Sequence, residues 1–236
     1  MSPVFIPAAV GSPIWRYIDF TKLVSMLVER SLFFCRADRL DDRFEGSMSR
    51  ASVRARDNVQ TWLPTHLHDK MQKQLAELHA AELRRTFINS WSMGRYESDA
   101  LWRVYVGTRD GVAVRSTFGR LARSLDAEER PVHIGRVEYI DYDNDSIPED
   151  HVLHPFVYKR RSFDYERELR AVTQIPAADD APAGLLVPCD LKALVTAIRV
   201  SPAAEPWFAS LVRSVLKTYG LNVPVEESDL LADPVY

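Results

Sequence analysis

The run Tyr158-Lys159-Arg160-Arg161-Ser162-Phe163-Asp164-Tyr165-Glu166-Arg167-Glu168-Leu169-Arg170 constrains this chain more than any other stretch. It sets acids, bases and aromatics side by side and leads into Ala171-Val172-Thr173-Gln174-Ile175. That apolar, partly β-branched continuation predicts a strand. Side chains alternate between the faces of a strand, so Glu166, Glu168 and Arg170 are expected on one side. Tyr165, Leu169, Ala171, Thr173 and Ile175 would point the other way, a packable row interrupted by Arg167. One face reads as core and the other as a charged site. The competing reading is a helix, in which Glu166 and Arg170 form an i,i+4 surface pair worth about 0.3–0.5 kcal/mol. On a strand, two carboxylates ~7 Å apart repel by about 2.4 kcal/mol at an effective dielectric of ~20. Arg170, Lys159 or a bound cationic ligand would offset that repulsion. The plainer alternative is a charged strand face at a sheet edge, neutralised by its own arginines.

At 236 residues the chain is long enough for one substantial core. No Pro/Gly/Ser-rich linker separates two halves, so a single domain over 1–236 is expected. With 46% hydrophobic and 27% charged residues the composition is that of an ordinary globular chain. A net charge of −3 argues against bulk nucleic-acid binding, although the local cluster Lys159-Arg160-Arg161 survives that average. No apolar run approaches the ~20 residues that span a bilayer, and the first residues carry no basic segment ahead of an apolar one. Cys35 and Cys189 match no metal or redox spacing, so a cytoplasmic protein with reduced thiols is expected.

Along the chain, residues 1–13 read as a proline-marked extended arm. Ile14 to Ile18 reads as a strand, with Asp19 as N-cap of a helix over about 20–30. Leu32 to Cys35 is a strand, and 36–46 a charged loop folded back on the body. Residues 47–85 form a helical insertion broken near Pro64, with Leu67, Met71, Leu75 and Leu78 as the apolar stripe of its second helix. Thr86 to Ser92 is a strand, and Ser98 caps a short helix carrying Leu101, Trp102 and Tyr105. Gly111 to Val114 is a strand, Val132 to Ile140 another, and 141–148 a turn-rich loop. Leu185 to Val187 and Val195 to Val200 are strands. Trp207, Leu211, Val215 and Tyr219 line one side of a C-terminal helix ended by Gly220. The interleaving is irregular, which predicts an α+β fold with a mixed, largely antiparallel sheet flanked by helices.

Several pieces taken in order resemble the bacterial domain-of-unknown-function 2971 family over roughly residues 14–202. They are Trp15-Arg16-Tyr17, the segment from Leu32 through Asp41-Asp42-Arg43-Phe44-Glu45-Gly46, Asn89-Ser90-Trp91-Ser92, Leu101-Trp102-Arg103-Val104-Tyr105, Gly111-Val112-Ala113-Val114, and Lys159 with Phe163 to Arg170. The family's asparagine-aspartate-proline turn is here Asp41-Asp42-Arg43, a departure at that loop. Residues 203–236 then form a C-terminal helix and strand outside the resemblance. The chain also resembles ADP-ribosyltransferases, which carry an arginine or histidine on an early strand, Ser-x-Ser on a second and Glu-x-Glu on a later one. Arg16, Ser90-Trp91-Ser92 and Glu166-Arg167-Glu168 occur in that order.

That second resemblance implies NAD as cofactor and a small-molecule nucleotide as partner. It implies Arg16 on the pyrophosphate and Ser90 and Ser92 near the nicotinamide ribose. Glu168 would be the essential carboxylate facing an oxocarbenium-like transition state, and Glu166 would orient the nucleophile. Trp102 and Tyr105 are candidate walls, with Tyr17, Lys159 and Arg170 as further cofactor contacts. Packing in the core is the plainer role for Trp91, Trp102 and Tyr105. By analogy such an enzyme is a toxin or antiphage effector. Two readings compete: a non-catalytic module binding a nucleotide or protein through the same charged face, and a metal-dependent nuclease using Asp41, Asp42 and Glu45 with Glu166, Glu168 and Lys159. His66 and His68 lie two apart on a helix and face away from one another, so no metal ligand is assigned. A glycine-rich phosphate loop is absent from the sequence, which has only nine glycines. The nucleic-acid or protein target, if the chain has one, is not legible in it.

Overall fold

The computed structural model describes residues 4–59, 64–107, 110–176 and 181–234. In chain order the strands are β1 (Pro13–Asp19), β2 (Ser31–Arg36), β3 (Thr86–Met93), β4 (Gly111–Thr117), β5 (His133–Arg136), β6 (Glu138–Ile140), β7 (Tyr158–Arg160), β8 (Glu168–Gln174), β9 (Gly184–Pro188), β10 (Ala197–Val200) and β11 (Val225–Glu226). The helices are α1 (Phe20–Glu29), α2 (Arg50–Val59), α3 (Thr65–Arg85), α4 (Asp99–Leu101), α5 (Phe118–Ser124), α6 (Leu191–Leu194) and α7 (Pro206–Thr218). A π-helical turn, Trp102–Val106, follows α4, and a 3-10 turn, Arg161–Glu166, precedes β8. The fold is α+β with a mixed, mostly antiparallel sheet. Among the described residues no helix is long and apolar enough to cross a membrane.

The chain gathers into two compact units, each built from three separated stretches. The first comprises Met1–Pro7, Phe34–Asn89 and Arg130–Leu185. In it β8 pairs antiparallel with β5, Arg170 opposite Gly135. The parallel pair β6–β7 sets Tyr139 opposite Lys159. Strand β8 is buried along all but its last residue, so both of its faces meet protein. Ala37, Ile88, Leu153, Phe156 and Val172 form its core cluster, with Phe5, Leu40 and Leu83 packed against them.

The second unit comprises Ala8–Phe33, Ser90–Glu129 and Leu186–Tyr236. Here β1 pairs antiparallel with β4, and β4 with β10. Strand β11 adds parallel to β10, Glu226 opposite Arg199. On its other side β1 meets the end of β3, Trp15 opposite Ser92. Trp15, Tyr17, Leu101, Trp102, Val106 and Ala113 make the core cluster. Asp19 caps α1, its carboxylate accepting from the Lys22 amide at 2.8 Å. Gly220 ends α7 with φ of 71°; its amide donates to Lys217 O and that of Leu221 to Leu216 O, the paired bonds of a Schellman cap.

Four local expectations fail. The stretch Val132 to Ile140 is two strands: the Val137 amide bonds Glu168 O and the Glu138 amide bonds Val157 O, so the chain changes partner there. Strand β8 begins at Glu168, because Arg167 adopts a left-handed φ of 45° that breaks the period of two before it. On α7 the buried row is Phe208, Ala209, Val212 and Leu216, while Trp207, Leu211 and Tyr219 are exposed. Both rows are apolar, so helical periodicity alone does not choose between them. On α3 no described residue is fully buried and Leu78 is 64% exposed; Leu83, one position off the expected stripe, is the leucine that reaches the core. The expected break of the insertion at Pro64 adjoins residues 60–63, which lie outside the described residues.

Two glycines separate backbone strain from crowding. A Cβ at Gly220 meets nothing within 4 Å, so Gly220→Ala should cost only the left-handed penalty, about 1 kcal/mol. At Gly46, with φ of 67°, a Cβ would lie 2.6 Å from Phe156 Cε1 and 2.8 Å from Leu83 Cδ2. Gly46→Ala should therefore cost about 2 kcal/mol or more. Urea unfolding of the two variants, with unchanged slopes, checks the order.

Candidate functional site

The first unit brings five charged side chains together. Arg170 and Glu168 share one face of β8, two residues apart as a strand requires. Arg170 Nε donates to Glu168 Oε1 at 2.8 Å and Nη2 to Oε2 at 3.0 Å, a forked pair. The same Nη2 donates to Glu45 Oε1 at 2.8 Å, and Nη1 to the Phe156 carbonyl at 2.8 Å. Nη1 also lies 2.7 Å from Glu45 Oε2, at ion-pair distance but not aligned as a hydrogen bond. From β7, Lys159 Nζ lies 2.5 Å from Glu166 Oε2, 3.4 Å from Glu168 Oε2 and 3.3 Å from Glu45 Oε1. Every one of these residues is more than nine-tenths buried, Arg170 at 1% exposure. When all five are ionised, three carboxylates meet two cations.

Glu166 reaches this cluster from the 3-10 turn, not from the strand where it was expected. The left-handed Arg167 turns the backbone between the two glutamates, and both still converge on Lys159. Tyr139 closes another side, its hydroxyl accepting from the Glu168 amide at 2.7 Å. Burial, then the Glu168 charge, pushes the Tyr139 hydroxyl well above the usual tyrosine range. Burial and the Glu45 charge do the same to Tyr142. Lys159 is opposed by burial, but Glu168 and Glu45 outweigh it and hold the ammonium above its ordinary value. Outside the cluster, Arg160 pairs with Asp42 at 2.7 Å and lies 4.3 Å from the Phe44 ring centre, so the loop at 41–46 is folded back as expected. Glu45 is the member that the sequence placed only in a nuclease site; its partner Arg170 lies 125 residues on, and no spacing signals the pairing. An ammonium and a guanidinium fill the space between the carboxylates. Among the described residues no group of three or more His, Cys, Asp or Glu is placed to hold a metal ion.

The remaining candidates belong to the second unit. Trp102 is 3% exposed, its Nε1 donating to Glu97 Oε2 at 2.7 Å. Tyr17 packs edge-on against it at 5.0 Å, and its hydroxyl accepts from the Ser98 amide at 2.8 Å. Burial raises the Tyr17 hydroxyl to about 12. These two rings are core, not an open stacking platform, because Trp15, Leu101 and Val106 fill the space beside them. Tyr105 is exposed, on the π-helical turn. Arg16 follows Trp15 on β1 and so points to the opposite face. Ser92, the cross-strand partner of Trp15, shares the face of Trp15, and Ser90 shares it by alternation. The sheet therefore separates Arg16 from the serine pair, where convergence was expected. Arg16 keeps partial contact with solvent, yet the protein around it desolvates the guanidinium and lowers it to about 10, the Cys189 thiol being the neighbour that opposes this. Its Nη2 donates to the Phe33 carbonyl at 3.3 Å, and among the described residues no carboxylate pairs with it.

No family model matches the chain, and no curated protein matches it. Among solved structures it is similar to Thermus sp. 2.9 DarT in complex with NAD+, at a TM-score of 0.43 and 11% identity over 92% of this chain and 95% of that one. It is similar also to the same protein in complex with carba-NAD+, at 0.42 and 10% over 94% and 97%. A third structure, with ADP-ribosylated ssDNA, gives 0.43 and 9% over 95% and 96%. At these values the likeness is too weak to assign any residue named above, and the bound molecules are those proteins' own.

Breaking the buried cluster should cost far more than breaking a surface pair. Arg170→Met removes the guanidinium that Glu168 and Glu45 share, leaves both buried carboxylates without it and should lose about 3–5 kcal/mol. Arg161→Met removes an exposed pair with Asp145 and should change stability by less than about 1 kcal/mol. Chemical denaturation of both variants measures the difference. The pH dependence has a definite sign. Lys159, Tyr139 and Tyr142 all have folded-state values above their unfolded ones, so their contribution is complete below about pH 10 and is lost as pH rises through the folded values. Stability should hold from neutrality to about pH 10 and decline above it, with tyrosinate absorbance appearing as the chain unfolds.

Proposed function

We propose that the protein is a nucleotide-handling enzyme of ADP-ribosyltransferase type that cleaves NAD between nicotinamide and ribose. The observation that carries this reading is the convergence of Glu166 and Glu168 on one ammonium, with both Glu168 oxygens fixed by Arg170 away from bulk water. When the glycosidic bond breaks, nicotinamide leaves with the bonding pair and the ribosyl carbon becomes cationic. A carboxylate already in place stabilises that centre without reorganising as charge develops. The acceptor nucleophile then bonds the same carbon and loses its proton. Buried ion networks are no more stabilising than apolar packing of equal volume. A strand that required only a core therefore has no need of Glu168 and Arg170, and perturbed charges of this kind concentrate at working sites. In this reading Glu168 is the essential carboxylate and Glu166 the group that orients the acceptor. Lys159 and Arg170 hold the two in place.

A second reading is favoured by the Arg170 fork itself. A guanidinium that holds both Glu168 oxygens is also what a binding or structural module would build, with the nucleotide or protein recognised and released unchanged.

Nicotinamide release from NAD, measured for the wild type beside Glu168→Gln at a temperature where circular dichroism shows both folded, decides between them. The enzyme reading expects release by the wild type and a loss of roughly 10²–10³-fold in the variant, with NAD still bound in calorimetry. Binding without release by the wild type establishes the second reading. Neither binding nor release, or undiminished release by Glu168→Gln, overturns the proposal.

A further inference from the structure

The second unit holds a polar cluster that the proposed reaction does not use. Its hub is Glu97, whose side chain is 2% exposed. Oε2 accepts from Trp102 Nε1 at 2.7 Å and Ser228 Oγ at 2.9 Å. Oε1 accepts from Arg199 Nη1 at 3.0 Å and the Asp229 amide at 2.7 Å. Arg199 in turn pairs through Nη1 with Asp229 at 2.6 Å and through Nη2 with Glu226 at 3.0 Å. Two of the four bonds to Glu97 come from the C-terminal segment, and the other two from the body of the unit. Trp102 and Arg199 bond Glu97 from the body of the unit, and Arg199 rests 5.5 Å from the Trp15 ring centre.

The segment is attached lightly. Strand β11 pairs with β10 over two residues, reinforced by the Ile198 amide on the Pro224 carbonyl at 2.9 Å. Its leucines, Leu230 and Leu231, are both exposed and the Asp229 side chain is 71% exposed, while Ser228 is buried at 4%, so polar bonds more than apolar packing hold it down. The segment also leaves a donor unused: Arg199 Nε is buried with no hydrogen-bond partner.

We infer that the open side of β10, with Arg199 and Glu97, is a recognition groove for an extended acidic peptide, and that the chain's own Val225–Leu231 occupies it as a displaceable strap. The chemistry read by the groove is the pattern that the strap presents. Arg199 takes the carboxylates of Glu226 and Asp229, Glu97 takes a hydroxyl and the amide after it, and the β10 edge takes backbone, as in strand-addition recognition. Gly220 and the short Leu221–Pro224 connection join the strap to α7, whose Arg213 Nη2 donates to the Val225 carbonyl at 3.5 Å. This inference is independent of NAD chemistry.

Hydrogen exchange on the unmodified chain is the first arm of the test. Amides of Val225 to Leu231 should exchange roughly 100-fold faster than those of β4, through local opening. In the second arm a labelled peptide of residues 221–234 is added to the full chain. It should bind a chain carrying Ser228→Ala and Asp229→Asn about tenfold more tightly than the unmodified chain, and lose that binding when Arg199→Met is added. Exchange of these amides only with global unfolding would overturn the strap, as would equal affinity for the two chains or binding that survives Arg199→Met. Should the substituted chains fail to fold, the exchange rates alone decide.

Discussion

The first unit depends on one guanidinium. Arg170 sits in the middle of a strand with protein on both faces, where a lone charge would be prohibitive. It is tolerated because the groups it meets are acceptors from three separate places: Glu168 on its own strand, Glu45 in the loop between β2 and α2, and the Phe156 carbonyl. Those bonds specify where the loop, the strand and the 154–156 turn must lie. Their net contribution against water is modest, while the penalty for leaving any one group unmatched is large. Arg170 therefore acts on position more than on stability, which is what a site built on Glu168 requires.

The second unit uses the opposite polarity. There a carboxylate is the hub, and an indole, a guanidinium, a hydroxyl and an amide point to Glu97. The difference lies in what the partners belong to. Around Arg170 they come from strands and turns packed into a core. Around Glu97 half come from a segment whose leucines, Leu230 and Leu231, stay exposed, so that half is the exchangeable part. A rigid cluster and a releasable one arise from the same hydrogen-bond chemistry, distinguished by how much hydrophobic burial accompanies each.

Local elements were well marked in the chain. Asp19 ahead of α1, Ser98 ahead of α4 and Gly220 after α7 work through bonds to residues two to four positions away, which a sequence displays directly. Choices between faces were not marked. Helix α7 has two apolar rows, and the neighbours of Phe208, Phe20 among them, decide which is buried. Glu166 shows the same limit in another form: one left-handed residue, Arg167, takes it off the strand, and Lys159 brings it back to the site.

The sequence by itself determined the class of the fold, the capped helices, the burial of one face of β8 and the placing of Glu168 and Arg170 together on the other. All of these follow from periods of 3.6 and 2 and from short-range bonds. Tertiary structure decided that the charged face of β8 is buried too, that Glu45 completes it from 125 residues away, and that Arg16 lies on the other side of the sheet from Ser92. It also decided that Trp102 is core and that the C-terminal segment closes on Glu97. These outcomes depend on which strand becomes whose neighbour. That pairing is set by the burial of the whole chain at once, and no spacing along it carries the information.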